Sequence, residues 1–257
     1  MNTLVMKFGG AAFATPSHFS KIANLIIAKK KKHPRLIIVV SAMGKTTDQL
    51  IELAKSVNED PPQREFDMLM SAGERISMSL LAMALHRENH SAISFTGSQS
   101  GIITCTKHSD AQILDVRPYR VKESLDAGHI VIIAGFQGVN ERKDVTTLGR
   151  GGSDTTAVAI GLALNANKVE FYKDVCGIFD KDPKFHADAQ NFSHLSYESA
   201  LKIVNDGAKV LHPRAIQLAA KNGLPLLVTS FMSNSQEGTL IYNPEKNREL
   251  TPLYETH

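Results

Sequence analysis

Five short segments of the chain are almost entirely apolar, and they constrain the fold more than any other feature. They lie at Leu4–Phe8, Leu36–Val40, His129–Ala134, Val169–Tyr172 and Leu226–Thr229. Apolar runs without polar alternation are typical of parallel strands that are covered on both faces. We therefore expect these segments to form the interior of a parallel sheet.

Three of the intervening stretches carry apolar residues at helical spacing. The first runs from Phe19 to Ile27, with Thr15-Pro16 as a helix start and His33-Pro34 as a stop. The other two stripes comprise Phe66, Leu69, Met70, Gly73, Ile76, Ser77 and Leu80, and Ala157, Val158, Gly161 and Leu162. Alternating strands and helices predict an α/β fold, with an open and mostly parallel sheet between helix layers.

Composition excludes several other classes of protein. The 257 residues are 42% apolar and 21% charged, with a formal charge of +3, so neither disorder nor a nucleic-acid partner is indicated. The basic run Lys29–Lys32 is interpreted as a solvated helix end. The two cysteines, Cys105 and Cys176, exclude a disulfide scaffold and argue against a structural zinc site. Without a signal-like N-terminus or a run of ~20 apolar residues, we expect a soluble, cytoplasmic protein that binds no membrane.

Ligands of open α/β sheets bind beyond the carboxyl ends of the strands, so the loops that follow the predicted strands come first. Lys7-Phe8-Gly9-Gly10 offers backbone N–H groups and a cation to a phosphate, although a tight turn with a surface lysine is the alternative. Ser41–Thr47 resembles a Walker A loop, but Val39 stands where that motif requires glycine. A hydroxyl-rich loop for a small polar substrate is the remaining interpretation.

The loop at 148–156, LGRGGSDTT, combines glycines, hydroxyls and a helix start, which together favour an anion site. Arg150 offers a planar fork to a carboxylate, and Asp154 suits either a lysine partner or a helix cap. A dinucleotide fingerprint fails because Asp154 occupies the position of its third glycine. The alternative is a capped helix after a glycine-rich turn.

Three further segments carry candidate groups. After the strand ending at Tyr172, Asp174 and a nearby aromatic residue suit an adenine ring, whereas the pair Asp180 and Asp182 is interpreted as a solvated turn. Glu74 lies in an otherwise apolar helix and needs a partner, either a substrate ammonium group or a cation such as Arg75. Lys209 precedes a helix that Pro213 starts, and the neighbouring His212 is interpreted as structural.

Together these segments resemble the aspartokinase branch of the amino acid kinase family. The matching stretches follow the family order through nearly the whole chain: KFGG at 7–10, VVSAMGKTTDQL at 39–50, SAGERIS at 71–77, GFQGVNE at 135–141, TTLGRGGSDTTA at 146–157, KDVCGIFDKDP at 173–183 and GAKVLHPRA at 207–215. The resemblance implies a three-layer α/β/α sandwich with a mostly parallel central sheet. It also implies a single kinase domain over residues 1–257, with the amino-acid substrate on about 1–145 and the nucleotide on about 146–257.

The resemblance also implies a role for each matching residue. Lys7 and Lys209 would stabilise the transferring phosphoryl group, and Asp154 would position the two lysines. The substrate aspartate would be held by Ser41, Thr47, Glu74, Arg150 and Ser153, with Glu74 on its ammonium group and Arg150 on a carboxylate. The nucleotide would contact Lys7, Gly9, Gly10, Lys173, Asp174, Phe179, Lys184 and Lys209. No residue is expected to be a dedicated metal ligand.

The implied reaction converts ATP and L-aspartate to ADP and 4-phospho-L-aspartate, the first step of aspartate-family amino-acid biosynthesis. Because the acceptor is already ionised at neutral pH, it needs no general base. It needs cations, backbone amides and a Mg²⁺ ion carried by the nucleotide to offset the repulsion between two anions. The partners expected are therefore ATP and L-aspartate, and a monomer and a homodimer both remain open.

Several departures from the family pattern bear on these expectations. Ala11 and Ala12 replace the usual hydroxyl residues after KFGG, Lys173 replaces the usual threonine, and Lys184 replaces the usual arginine. They leave open two alternatives: a related kinase that acts on another carboxylate, and a non-catalytic nucleotide- or amino-acid-binding homologue. The chain also ends near the expected end of the kinase domain. We therefore expect no regulatory ACT domain and no ACT-mediated feedback by lysine or threonine.

Overall fold

The computed structural model describes residues 3–181, 183, 185–186, 188–232, 238–245, 248–249 and 251–255. The strands in these residues are β1 (Thr3–Phe8), β2 (Arg35–Val40), β3 (Ala92–Phe95), β4 (Ile102–Thr104), β5 (Ile113–Val116), β6 (Ile130–Ala134), β7 (Gln137–Val139), β8 (Val145–Thr147), β9 (Lys168–Lys173), β10 (His194–Leu195), β11 (Leu226–Ser230) and β12 (Gly238–Ile241). The α-helices are α1 (Pro16–Lys30), α2 (Thr46–Val57), α3 (Gln63–Met70), α4 (Ala72–Arg87), α5 (Tyr119–Asp126), α6 (Gly152–Ala163), α7 (Tyr197–Asn205) and α8 (Pro213–Asn222). A 3-10 turn, Gly10–Phe13, follows β1.

The main sheet has eight strands in the order β10-β12-β11-β9-β1-β2-β6-β3. Its neighbouring strands are parallel except for β11 and β12. The five strands predicted from the apolar segments are β1, β2, β6, β9 and β11, which lie next to one another in the middle of this sheet. The prediction of a mostly parallel central sheet is therefore confirmed.

Helices cover both faces of the central strands, which explains why these strands have no polar alternation. Val5 and Val39 face a core cluster that includes α6 and α8, whereas Leu4 and Met6 face a second cluster that includes α1 and α4. In α6, residues 152–162 are all buried. The protein is thus a three-layer α/β/α sandwich, as expected.

A second sheet was not predicted. It has four short strands in the order β5-β4-β7-β8, and β7 and β8 form an antiparallel hairpin. Strands β4 and β5 precede β6 in the chain, whereas the β7–β8 hairpin lies between β6 and α6. The hairpin therefore carries the backbone from the end of a central strand to the glycine-rich loop that opens α6.

The apolar stripe predicted as one helix around residues 66–80 forms two helices, α3 and α4, which are separated at Ser71. The side chain of Gln137 donates a hydrogen bond to the carbonyl of Ser71 at 2.9 Å, at the point where the helical run is broken. Ile76 and Leu80, predicted to be part of this stripe, are 47% and 37% exposed. Within the described residues, the helical stretch Gln63–Arg87 has the length and apolar composition of a membrane-spanning helix. Core helices of soluble proteins pass the same test.

The basic run at Lys29–Lys32 lies at the end of α1, as predicted, but part of it is not a free solvated surface. Lys29 Nζ lies 2.8 Å from Glu170 Oε2, and Lys168 Nζ lies 2.8 Å from Glu170 Oε1. Tyr172 also donates its hydroxyl to Glu170, at 2.7 Å. Burial alone would raise the pKa of the Glu170 carboxyl, but hydrogen bonds and charge from the two lysines hold this pKa below its ordinary value of 4.5. This cluster links α1 to β9, on the side of the sheet away from the loops that follow the strands.

We expect Glu170→Gln to destabilise the protein by on the order of 2 kcal/mol at pH 7, because two half-buried lysines lose their counter-charge. Since the folded-state pKa of Glu170 is lowered, its contribution is complete above pH 4.5 and is lost as the pH falls further. The difference in unfolding free energy between wild type and variant should therefore shrink in acid. Urea unfolding between pH 3.5 and pH 7 measures it. Tyr172→Phe, which removes one hydroxyl, is the control and should cost less. A pH-independent difference would contradict the assignment.

Candidate active site

The loops singled out from the sequence lie at the end of the main sheet where its parallel strands have their carboxyl ends. Parallel strands β1, β2, β6 and β9 all end there, at Phe8, Val40, Ala134 and Lys173. This is the end at which open α/β sheets bind ligands. The residues that follow these strands are therefore brought together by the topology of the sheet.

Two of these loops touch so closely that a side chain would not fit between them. A Cβ atom on Gly10 would lie 2.8 Å from the carbonyl oxygen of Ala42, and Gly44 N donates to the Gly10 carbonyl at 3.1 Å. A Cβ atom on Gly9, by contrast, would make an ordinary contact, 3.8 Å from Lys7 Nζ. Ala12 is fully buried in the core, so its methyl group is not directed towards a ligand.

A cluster of three buried charges lies beside Gly9. Lys7, the residue before the last of β1, is 4% exposed, and its Nζ atom is 2.5 Å from Asp154 Oδ1. Asp154 lies in the first turn of α6, and its other oxygen is 3.6 Å from Lys173 Nζ at the end of β9. Within this cluster two cations share one carboxylate, and the exposed Asp174 adds a further negative charge near Lys173.

The pKa values reflect this crowding. Burial alone would raise the pKa of Asp154, but the charges of Lys173 and Lys7 lower it to about 2. Burial lowers the pKa of Lys173 to about 8, with a further contribution from the charge of Lys7 and against the opposing pull of Asp154. An anionic ligand beside Lys173 would restore its preference for the charged form.

The segment that leads into α8 closes over Asp154. His212 donates its backbone N–H to Asp154 Oδ2 at 3.4 Å, and its ring caps α8 by accepting from Arg214 N. The same ring packs against Gly151, where φ is +72° and any side chain would overlap the imidazole. These contacts agree with the interpretation of His212 as structural. Around this contact lies a cavity of about 420 Å³, lined among others by Asp154, Lys173 and Lys209.

Glu74 forms a second feature of the site. It lies in the first turn of α4 and is 4% exposed. Its Oε1 accepts a hydrogen bond from Ala42 N at 3.0 Å, whereas Oε2 is buried without a partner among the described residues. Burial raises the pKa of Glu74 to about 7, although the hydrogen bond from Ala42 and the charge of Lys7 oppose the shift. Among the described residues this carboxyl forms no ion pair with Arg75, and Lys7 is the cation whose charge acts on it.

The other residues assigned to the amino-acid substrate lie on the same loops. Ser41 follows β2, and Thr47 lies in the first turn of α2; both are half-buried. Ser153 is 8% exposed and packs against Gly135, whose Cβ would lie 2.7 Å from that of Ser153. Gly135 was not singled out from the sequence, although a glycine directly after a central strand is a usable signal. Arg150 is exposed and forms no ion pair with the described residues.

The residues assigned to the nucleotide are less tightly grouped. Lys209 is exposed and lines the cavity. Asp174 is exposed at the end of β9. Phe179 is half-buried, and its backbone forms an isolated antiparallel β-bridge with Asn191. Lys184 lies outside the described residues, and so does Asp182. The described residues contain no group of three or more His, Cys, Asp or Glu side chains that would hold a metal ion.

Comparison with known sequences agrees with this arrangement. The profile described as the amino acid kinase family matches residues 2–230. The aspartokinase of Corynebacterium glutamicum is 50% identical over 242 residues, which cover 94% of this chain and 57% of that protein. The aspartokinase of Geobacillus stearothermophilus is 46% identical over 241 residues, which cover 94% of this chain and 59% of that protein. The chain thus spans less than two thirds of the length of these relatives.

Comparison with solved structures gives the same fold. The crystal structure of aspartate kinase from Synechocystis superimposes with a TM-score of 0.85 at 40% identity, covering 98% of this chain and 41% of that one. E. coli aspartokinase III in complex with aspartate and ADP superimposes with a TM-score of 0.86, covering 96% of this chain and 66% of that one. At 24% identity, the second match speaks for the fold alone.

We expect Glu74→Gln to stabilise the ligand-free protein. The pKa of Glu74 is raised from 4.5 to about 7 on folding, so the unfolded chain ionises first and stability is lost as the pH rises through this window. The variant should be more stable than wild type by on the order of 2 kcal/mol at pH 8, and nearly equal to it at pH 5. Urea unfolding at the two pH values measures the difference. Glu52→Gln, at an exposed position of α2, is the matched control. An equal gain at both pH values would contradict the shifted carboxyl.

Proposed function

The chain belongs to the amino acid kinase family, and we propose that it transfers the γ-phosphoryl group of ATP to the side-chain carboxylate of L-aspartate. The observation that carries the proposal is the partnerless oxygen of Glu74 close to the buried Lys7–Asp154–Lys173 cluster. A buried carboxylate oxygen without a partner among the described residues therefore lies near two lysines that share the carboxylate of Asp154. The similarity to aspartokinases at 50% and 46% identity supports the same activity.

The acceptor is proposed to complete the charge pattern around Glu74. Its ammonium group would pair with Oε2 of Glu74, which removes the cost of a buried carboxylate without a partner. Its carboxylate would form a bidentate ion pair with the guanidinium of Arg150, which is exposed and has no acidic partner among the described residues. The hydroxyl groups of Ser41, Thr47 and Ser153 would complete the polar contacts. An acid without an amino group should therefore be a poor substrate.

The phosphoryl end of the site is proposed to act by electrostatics. The acceptor oxygen and the γ-phosphoryl group are both anionic, so the main barrier that the protein can lower is their repulsion. Lys7 and Lys173 provide the charge, with Lys209 at the wall of the same cavity. Asp154 holds Lys7 in place rather than accepting a proton, as its low pKa requires. The backbone amides at Gly9 and Gly10 would contact the phosphates.

Mg²⁺ is proposed to enter with the nucleotide. Magnesium is typically bound by one or two carboxylates together with phosphate oxygens. The described residues offer no cluster of three ligand groups, and Asp154 is engaged with two lysines. The protein therefore fits an ion whose ligands come largely from ATP. When bound, the ion would neutralise part of the phosphate charge.

The nucleotide is proposed to lie along the ends of β9 and the loop before α8. Asp174 and Phe179 would surround its base and ribose, and Lys184 would add charge. In this arrangement the part of the chain before about residue 145 supplies most of the acceptor site, and the part after it supplies most of the nucleotide site. Both parts contribute strands to one sheet, in which β1 lies next to β9. We propose that the protein acts on these soluble metabolites in the cytoplasm.

A non-catalytic binding homologue is the second candidate, and the observation that favours it is the pair Ala11 and Ala12 in the place of hydroxyl residues. Ala12 is buried in the core, however, so this position offers no ligand contact. The cation cluster is present in full. A kinase for another carboxylate remains the third candidate, and a panel of acids distinguishes it.

We expect ADP release by the wild-type protein to depend on L-aspartate, with succinate and L-glutamate much poorer. Lys7→Met should lower kcat by about 10²–10³-fold, because it removes a cation that stabilises the transition state. Lys21→Met, on the exposed face of α1, is the matched control and should be active. A coupled assay for ADP measures the rates. ADP release that is indifferent to the acceptor, or a Lys7→Met variant of normal activity, would contradict the proposal.

We expect ADP affinity to weaken as the pH rises through about 8, the pKa to which burial lowers Lys173. Protonated Lys173 attracts phosphate, and the charges that face it are Asp154, Lys7 and Asp174. The dissociation constant of ADP should therefore increase between pH 7 and pH 9 in the wild type. It should change less in Lys173→Arg and Lys173→Met, which do not titrate in this range. Calorimetric titration without aspartate measures it, and an unchanged slope in both variants would contradict the role of Lys173.

A further inference from the structure

A buried carboxylate outside the candidate active site holds the segment that leads into the loop at Gly149–Ser153. Asp67 lies on α3 and is fully buried. It accepts hydrogen bonds from Thr147 Oγ1 at 2.5 Å, from Thr147 N at 3.1 Å and from Ser109 N at 3.0 Å. His108 Nδ1 lies 2.8 Å from the same carboxyl group. One side chain therefore joins α3 to segments 42 and 80 residues away.

The hydrogen bonds to Asp67 fix the relative positions of the groups that they join. A buried acid is costly unless its oxygens are satisfied, and an apolar residue on α3 would fill the same space without that cost. Both oxygens of Asp67 accept bonds, and two of the donors are backbone N–H groups. A fully satisfied polar network of this kind fixes one geometry of the groups it joins. Here the groups are two pieces of backbone next to the candidate site.

The geometry fixed by Asp67 continues directly into the loop. Thr147 is the last residue of β8, and its carbonyl accepts from Ala111 N at 2.9 Å. Two residues later the chain turns at Gly149, where φ is +71° and a Cβ atom would lie 3.1 Å from Asp110 Oδ1. The backbone directly before Arg150 thus packs closely against Ser109 and Asp110, the segment that Asp67 also contacts.

The other side of this turn is held by Arg214 on α8. Its guanidinium donates to the carbonyl of Leu148 at 2.5 Å and to the carbonyl of Ala111 at 2.5 Å. Glu255 in turn accepts from Arg214 at 2.6 Å. The entrance to the loop therefore has an anchor on each side, whereas the side chain of Arg150 has no acidic partner among the described residues. The contacts around the turn therefore act on the backbone from which the side chain of Arg150 extends.

We propose that Asp67 is a positioning residue for the acceptor site: through Thr147 it fixes the backbone that enters the Gly149–Ser153 loop, and thereby the place from which Arg150 meets the carboxylate of the acceptor. The identity of the acceptor rests on the proposed function, but the anchoring of the loop does not. Catalytic groups need support of this kind because small displacements cost binding and rate.

Thr147→Val tests the inference with little change in shape, because it removes the hydroxyl that bonds to Asp67 at 2.5 Å. Thr146→Val is a matched control, since this neighbour is also buried in β8 but its hydroxyl bonds to Thr104 at 2.6 Å. We expect Thr147→Val to raise KM for aspartate about tenfold, the equivalent of one hydrogen bond, with KM for ATP within about twofold. Thr146→Val should lower the melting temperature similarly but leave both KM values unchanged.

A second readout does not depend on activity. Hydrogen exchange of peptides that span residues 148–154 should be faster in Thr147→Val than in wild type, and unchanged in Thr146→Val. If wild type shows no aspartate-dependent ADP release, the proposed function fails while this comparison still decides the anchoring. Equal effects of the two variants on exchange and on KM, or no effect of either, would overturn the inference.

A double-mutant comparison separates positioning from general stability. If Asp67 acts through Arg150, then Asp67→Asn should weaken aspartate binding strongly in the wild-type background and little in an Arg150→Ala background. Additive losses would mean that Asp67 affects binding by another route and would overturn the inference. Should Asp67→Asn fail to fold, Thr147→Val replaces it in the same comparison.

Discussion

The ion pair between Lys7 and Asp154 is the interaction on which the rest of the site depends. It joins the end of the central strand β1 to the first turn of the buried helix α6, and both partners are almost inaccessible to water. Burying two charges is expensive unless the geometry is good and the remaining polar atoms are occupied. The second oxygen of Asp154 meets Lys173 and the backbone of His212, so three other segments of the chain converge on this carboxylate. This carboxylate favours the charged forms of Lys7 and Lys173, which burial alone would disfavour.

The middle of the sheet was predictable and its edges were not, for a physical reason. The five central strands are covered on both faces, so an uninterrupted apolar run identifies each of them. The outer strand β10 has two residues, and the strands of the small sheet have three or four, too few for any periodicity to emerge. The break between α3 and α4 was not predicted, and the contact found at Ser71 is a hydrogen bond from Gln137, which is 66 residues away. No local pattern contains such a contact.

The candidate site shows the same division. Lys7, Gly10 and Glu74 were singled out because a lysine, paired glycines and a buried acid break the pattern of their own segments. The structure adds contacts that the segments alone do not contain. The carbonyl of Ala42 excludes a side chain at Gly10, and the amide of Ala42 bonds to only one of the two oxygens of Glu74. Asp67 was missed, although it interrupts the apolar run Phe66–Met70, because the sequence does not show which distant groups it meets. Its importance comes entirely from Thr147 and Ser109, which the fold brings to it.

The shifted carboxyl of Glu74 also links ligand uptake to proton traffic. With a pKa of about 7, this group is only partly ionised in the empty protein near neutrality. A ligand that docks a cationic head on it favours the ionised form, so each binding event would expel a fraction of a proton into the medium. Occupancy would then respond to acidification, with the empty state gaining ground as protons compete for the same oxygen. The buried carboxyl of Glu74 would thereby make ligand binding at this site depend on pH.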